Sequence, residues 1–481
     1  MLPEAKRIRM YPRPVVAAVT SHWLSMLGMF LLISALITWI FVLPLHDRGG
    51  SSNPYIGIVV FVVVPILFVT GLVAIPIGVY LGRRRVRANL ATVDRGVAVR
   101  RLLIFLGVTT LINVLVGTQI TYRAVEQMES VQFCGAACHV MTPQARSHPV
   151  SPHARISCVE CHVGEGARGF IEAKTAGTRQ LIEVAFNSYP RPVPPALSSG
   201  RLVPSRETCE HCHWPEKFAA TRLKILAKFS EDEANTATET VLMMMVGGSR
   251  SGGIHGKHFG PGVEIRFAAA DAQRQTIPWV EFKNTNTGES RVYTADGTGP
   301  EAAALPKIAM QCVDCHNRPA HTFLLPERAL DQEFAGGWLP TTLPFLKKKS
   351  LEALKATYAS SDEAAMKIPN AIVDYYKQSY PDVYAARGGD VQAAARRVAE
   401  VYSRNVFPEL NVTWGTYLNN LGHDPAPGCF RCHDEAHKTR EGKTITQDCA
   451  ACHEAVAVDE ASPEVLKTLG LAERLGAIRK Q

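Results

Sequence analysis

The 12 cysteines of this 481-residue chain fall into six pairs: Cys134/Cys138, Cys158/Cys161, Cys209/Cys212, Cys312/Cys315, Cys429/Cys432 and Cys449/Cys452. A histidine follows the second cysteine of every pair at once, as His139, His162, His213, His316, His433 and His453. C-x-x-C-H is the attachment pattern of c-type haem, in which two thiols bond the porphyrin vinyl groups and the adjacent imidazole reaches the iron. With 16 histidines in 481 residues, six such followers would arise by accident roughly once in a billion. Structural zinc needs no histidine fixed behind the second cysteine, and a disulfide framework needs none at all. The sequence thus calls for six covalent haems. The first motif departs from the rule, being C-x-x-x-C-H in FCGAACHVM, where one extra residue widens the loop between the thioethers.

A six-coordinate haem iron needs a second axial ligand besides the motif histidine. Outside the motifs and beyond the apolar N-terminal quarter stand His148, His153, His211, His255, His258, His321, His423 and His437. His321 in CHNRPAHTF, His423 in GHDPAPGCFRCH and His437 just after the fifth motif are the short-range candidates. His148 and His153 lie between the first two motifs. His255 and His258 lie in GGIHGKHFG, where glycines let the backbone approach a flat cofactor. His22 and His46 flank the first apolar run; the other runs hold no histidine, which gives no support to a bis-histidine haem inside a membrane.

Three apolar segments precede the motifs: Leu24–Leu45, Tyr55–Leu81 and Leu102–Ile120. Each is long enough to cross a hydrocarbon core of about 30 Å. Pro65 and Pro76 should kink the second span without abolishing it. Residues 1–121 carry 12 Lys and Arg against 3 Asp and Glu, and the rest of the chain is near neutral. All the basicity therefore belongs to the anchor, and the net charge of +8 is no argument for a nucleic-acid partner. Arginines crowd the N-terminus and the segment Arg83–Arg101, whereas the first loop holds only Arg48. The positive-inside rule places the N-terminus and the Arg-rich loop in the cytoplasm and exports everything after about Tyr122, the side on which covalent haem is attached.

The expected fold class is mainly α with little regular structure: three transmembrane helices followed by a haem-packed multihaem cytochrome c domain with a small antiparallel sheet insertion. The expected domains are a membrane anchor over 1–121, a haem domain with motifs one to three over 122–216, an insertion with a small sheet over 217–310, a C-terminal haem region over 311–456, and a C-terminal helix over 457–481. Strands are expected at Gly262–Ala270, Thr276–Lys283 and Ser290–Thr294. Helices are expected at Lys347–Tyr358, Ser361–Tyr380 and Val391–Asn405, within a helical insertion at about 330–410, and over Ser462–Gln481.

The run FCGAACHVM, QARSHPVSPHA, CVECHVGEG and FIEAKTAG, with RETCEHCHWPEKF after it, resembles the NapC/NirT family of membrane-anchored multihaem quinol dehydrogenases. The later stretches MQCVDCHNRPAHTF, VTWGTYLNNLGHDPAPGCFRCHDEAHKTREGKTI and DCAACH are similar to an enlarged branch of that family. The resemblance covers about residues 110–455. It implies oxidation of a membrane quinol, most often menaquinol, at the haem nearest the membrane, and delivery of electrons to a periplasmic cytochrome or reductase in anaerobic or extracellular respiration. It also implies Met141, two residues after the first motif histidine, as the first haem's ligand, and Lys174 beside the quinol. Glu183 is the nearest acidic residue downstream, and it does not match the family's position cleanly. A three-span anchor also departs from the single span usual in the family.

The localisation implied is a bacterial inner membrane, with the haem domain periplasmic. Six haems bring about a dozen propionate charges, so the loaded domain suits a weakly basic or lysine-ringed partner. Two other classes stay open. One is a haem-bearing relay subunit of a larger membrane redox complex without its own quinol site; the other is a terminal reductase with an open haem. The sequence leaves the acceptor and the oligomeric state, whether homo-oligomer or larger complex, undecided.

Overall fold

In the computed structural model, apolar helices form at all three of the hydrophobic segments. They are α1 (Trp23–Asp47), α2 (Val64–Asn89) and α3 (Arg95–Ile112), the last continued by a π-helical turn at Asn113–Gly117. The structure describes residues 22–47, 63–89, 95–117, 119, 123, 130–137, 139–164, 166–196, 203–214, 221–248, 252–299, 301–424 and 426–471. Two compact units divide the chain: Met1–Cys134 with Ser157–Ile182, and Gly135–Ile156 with Glu183–Gln481.

In the first unit, Val64–Gly82 is long and apolar enough to cross a membrane; Trp23–Trp39 and Leu102–Leu115 are shorter apolar stretches among the described residues. α1 and α2 pack through small residues. A Cβ on Gly28 would fall 2.8 Å from the Gly71 carbonyl oxygen, and one on Gly71 would fall 2.7 Å from that of Gly28. Ser25 and Ala35 of α1 and Ala74 of α2 are buried in the same stripe. The outer faces are apolar and exposed, with Ile66, Val69, Val73, Leu103 and Leu111 turned outward. Small residues at the contact and apolar residues outside are the inverse of a water-soluble bundle. Polar side chains are satisfied within their own helices: the hydroxyls of Ser34, Thr38 and Thr70 donate to the carbonyls four residues back at 2.7, 2.8 and 2.7 Å, and Asn113 donates to the Thr109 carbonyl at 2.9 Å. α2 runs through Pro76 without ending. The expected start of the second span at residues 55–62 lies outside the described residues. A further helix of this stretch of chain, α4 (Gly166–Ala185), follows the second motif.

The second unit has two antiparallel sheets and a helical insertion. Its elements in chain order are β1 (Arg222–Phe229), β2 (Ala237–Met244), α5 (Gly253–Phe259), β3 (Val263–Ala268), β4 (Trp279–Asn284), β5 (Glu289–Ala295), β6 (Ile308–Ala309), α6 (Pro326–Ala335), α7 (Leu346–Lys355), α8 (Ser361–Ser379), α9 (Pro381–Asn405), β7 (His437–Lys438) and β8 (His453–Glu460). The five-stranded sheet has the order β6-β3-β4-β5-β7, and the meander β3-β4-β5 coincides with the three expected strands. The three-stranded sheet β1-β2-β8 is an addition to the expectation. In it, Arg222 pairs with Met244 and Met244 with His453, so the sixth motif's histidine opens a strand.

α6 to α9 enclose the largest apolar core, with Leu330, Phe334, Leu346, Leu354, Ile368 and Ile372 at 1% exposure or less. α8 starts at Ser360, whose hydroxyl accepts the Glu363 N–H at 3.1 Å. α9 begins ten residues before the expected Val391, and it bends at Arg387, whose backbone is non-helical and whose guanidinium reaches Asp390 and Thr342. Glu333, buried on α6, accepts from Arg397 at 2.6 Å and Arg404 at 2.5 Å on α9. Asn235, in the β1–β2 turn, donates to the Leu343 carbonyl and accepts the Lys347 N–H, both at 2.8 Å, which joins the hairpin to α7. Of the expected C-terminal helix, the described residues show Glu464–Thr468; Gly470 follows in a left-handed conformation with φ of 64°, Leu471 is helical again, and residues 472–481 lie outside the described residues.

Candidate haem sites

Motifs two to six each sit on a single helical or 3-10 turn, and the reason is geometric. A turn of helix sets residues three apart on one face, as two thioethers on one porphyrin edge require. It then closes by bonding the histidine back to the first cysteine. The N–H of His213 donates to Cys209 O at 2.8 Å, that of His316 to Cys312 O at 2.8 Å, and that of His433 to Cys429 O at 3.1 Å. Cys158–His162 is a short α-helix, and Cys449–Ala451 is a 3-10 turn capped by the Asp448 carboxylate. In the first motif, Phe133–Ala137 is a π-helical turn. A π turn carries one more residue per hydrogen bond than an α turn, the increment by which C-x-x-x-C exceeds C-x-x-C. Cys138 and the side chain of His139 lie outside the described residues.

Among the described residues, five pairs of histidine rings face one another in the second unit. His153 and His213 have centroids 5.9 Å apart, His255 and His316 6.1 Å, His258 and His433 5.8 Å, His423 and His453 6.1 Å, and His148 and His321 6.4 Å. A metal–imidazole bond of about 2 Å plus about 1.1 Å from nitrogen to ring centre puts two rings on opposite sides of one iron about 6.2 Å apart. Four of the pairs contain one motif histidine and one of the loose histidines that the sequence analysis singled out. The fifth, His148 with His321, contains none from a motif.

Hydrogen bonds select the nitrogen that would face a metal. The Nδ1 of His153 meets the Pro319 carbonyl at 2.9 Å, that of His258 the Ile254 carbonyl at 2.7 Å, that of His433 the Thr446 carbonyl at 2.8 Å, and that of His321 the Gln144 carbonyl at 3.2 Å. A carbonyl can only accept, so Nδ1 carries the proton and Nε2 keeps its lone pair for iron. Burial holds His162, His255, His258 and His316 below the ordinary imidazole range, which favours the neutral, metal-binding form. The donor set therefore fits haem iron.

His437 does not join this set. Its ring is 1% exposed, with Nδ1 at 2.8 Å from the Asp434 carboxylate and Nε2 at 2.6 Å from the Ile277 carbonyl. Both nitrogens are used in holding β7 to the sheet, and none faces a motif histidine among the described residues. Its nearness to the fifth motif is one of sequence only.

The motifs are also tied to one another. The Ser205 N–H ahead of the third motif and the Ser205 hydroxyl donate to Gln311 Oε1 ahead of the fourth, at 2.8 and 3.1 Å. The thiol of Cys312 is pulled down to about 6, chiefly by the hydrogen bond with Cys209, and burial pushes Cys315 up to about 11 and Cys432 to about 12. Arg431, inside the fifth motif, is 9% exposed and donates to three carbonyls: Gly428 at 2.8 Å, Arg274 at 2.7 Å and Asp314, inside the fourth motif, at 2.7 Å. Asp314 also pairs with Arg274 at 2.5 Å, while burial raises its carboxyl. These interior motif positions are formally unspecified in C-x-x-C-H, which is why sequence reasoning passed over them.

Of the residues expected around a quinol, Met141 closes the 3-10 turn His139–Met141 and is half-buried. Lys174 lies midway along α4, with its side chain outside the described residues. Glu183 has a half-buried side chain near the end of the same helix, and its carbonyl accepts the Ser188 N–H at 2.8 Å.

Comparison with known proteins agrees with this chemistry. Residues 97–192 match the NapC/NirT cytochrome c family, N-terminal region. The chain is 36% identical over 445 residues to the cytochrome c-type protein ImcH of Geobacter sulfurreducens (strain ATCC 51573 / DSM 12127 / PCA), an alignment covering 90% of this chain and 87% of that one. No solved structure matches. With paired cysteines, following histidines and facing imidazoles in place, and with likeness to an ImcH protein along nine-tenths of its length, the chain belongs to the NapC/NirT cytochrome c family, whose members carry covalently bound c-type haem for electron transfer.

Proposed function

We propose that this cytochrome is anchored in the inner membrane by three spans, binds six haems outside the cytoplasm, and oxidises menaquinol or a related quinol for a periplasmic electron acceptor. Bound through the paired thioethers, the haems supply one-electron acceptors to a quinol that gives up two electrons and two protons. The observation that carries the reading is the set of facing imidazoles at 5.8 to 6.1 Å. It supports His213 with His153, His316 with His255, His433 with His258, and His453 with His423 as axial pairs. His148 and His321 face each other without a motif histidine, and His437 is left out.

The first motif follows the last apolar helix most closely in sequence, where a lipid-soluble quinol arrives. Met141 is the ligand proposed there, Lys174 the donor to a quinol oxygen, and Glu183 the group that takes a proton. The test is pyridine haemochrome counting, followed by reduction with a menaquinol analogue in detergent. Six haems and quinol-driven reduction are expected. Met141→Leu should change the spin state of one haem and slow reduction by quinol, while dithionite still reduces all six. Lys174→Ala should slow quinol turnover with an unchanged spectrum. A protein whose haems stay oxidised with the quinol would be an electron relay.

A further inference from the structure

The geometry points to the haems of the fourth and fifth motifs forming one closely coupled pair, bracketed on its distal side by α5 and on its proximal side by Arg431. The inference rests on the axial assignment proposed above.

The distal bracket is one turn of helix. His255 faces His316 of the fourth motif and His258 faces His433 of the fifth, and both loose histidines lie on the seven-residue α5. Side chains three apart on a helix leave it about 5–6 Å from one another and diverge by about 60°, which sets the two metal positions on the order of 10 Å apart. α5 is itself fixed. The N–H groups of Ile254 and His255 donate to the carbonyls of Met245 and Val246 at the end of β2, at 2.9 and 3.0 Å. Gly253 enters with φ of 68°, and a Cβ on Gly256 would fall 2.6 Å from the Gly248 carbonyl oxygen, so the turn lies flat against its own approach strand.

The proximal bracket is Arg431. Its guanidinium spans from its own motif (Gly428 O) to the other one (Asp314 O) and to Arg274 O, all at 2.7 to 2.8 Å. Asn420 adds a second tie, donating to Asp314 O at 3.1 Å and, through its N–H, to Asn317 Oδ1 at 2.9 Å. Two motifs more than a hundred residues apart in the chain are thus held at fixed spacing on both faces. The Arg431 guanidinium, whose three hydrogen bonds go to carbonyls, places a positive charge between the two motifs, and a nearby positive charge favours the reduced state of an iron. Within such a pair, filling one member makes filling the other harder.

The test uses the full-length, haem-loaded protein in detergent, read by Soret circular dichroism and by EPR during a redox titration. His258→Met should change the ligation signal of one haem, shift the midpoint of a second, and abolish a bisignate Soret couplet. His423→Met, outside the pair, should change one haem and leave the couplet. Arg431→Gln, which keeps every ligand, should lower two midpoints together. A His258→Met protein with one altered haem, an intact couplet and no other midpoint moved would overturn the pair while sparing the axial assignment. Unaltered ligation in that variant would overturn both.

Discussion

Replacing His153 by alanine should open one haem and no other. The ring stands 5.9 Å from His213 of the third motif, and its Nδ1–H donates to the Pro319 carbonyl at 2.9 Å. The four other described facing pairs engage both of their members. Cys209 and Cys212 are untouched, and the intact mass should still include the third haem. What is lost is one axial bond and one hydrogen bond worth about 1 kcal/mol between the 148–156 segment and the loop after the fourth motif. The ferric protein should lose one haem's worth of low-spin EPR intensity. After dithionite reduction it should take up about one more carbon monoxide per chain than the parent, since a five-coordinate ferrous haem has a free face. His437→Ala is the control: it removes a histidine from the same domain and should add no carbon monoxide site. Unchanged low-spin intensity and unchanged carbon monoxide uptake in the His153 variant would refute the reading of the facing rings as axial pairs.

Three further outcomes follow from features away from the haems. Glu333→Gln leaves Arg397 and Arg404 without their shared carboxylate; because the two guanidinium groups keep 27% and 23% exposure, the loss is about 2–3 kcal/mol, measured as faster proteolysis within α6–α9. Partial burial pushes the Asp271 carboxyl up, but the N–H groups of Thr276, Gln275 and Gln273 outweigh this and hold it below its usual 3.8. Its contribution to stability is therefore full above pH 3.8 and lost as pH falls through the lower folded value, and Asp271→Asn should cost about 1 kcal/mol near neutrality and nothing in acid, by urea unfolding at several pH values. Gly71→Leu should lower the thermal stability of the detergent-solubilised protein, whereas Gly107→Leu, where a Cβ meets nothing within 4 Å, should not.

The motifs, the loose histidines and the β3–β5 meander were legible because each is written locally, in fixed spacing or in alternation broken by a turn. Which histidine faces which was not. His153 faces a histidine of the third motif, and His255 and His258, neighbours on one turn, face histidines of two different motifs. His437 was misread because nearness in sequence says nothing of an Ile277 carbonyl 160 residues away. The hairpin β1–β2 escaped because Lys224 and Lys228 interrupt one strand and a methionine run ends the other, and its third partner, β8, is recruited only after the last motif. α6 was missed as a ten-residue helix opening on Pro326 and lying directly after a haem loop.

The apolar core of α6–α9 has a consequence for maturation. Leu330, Phe334, Leu346, Leu354, Ile368 and Ile372 need no porphyrin to fill the space between them, so this insertion has what it needs to fold on a chain that carries no haem. The fourth motif ends just before it and the fifth begins shortly after it. Folding the insertion first shortens the loop between the two motifs from more than a hundred free residues to two short tethers, which lowers the closure cost that opposes their meeting by about 1 kcal/mol. An insertion folded ahead of haem attachment therefore favours the meeting of these two motifs.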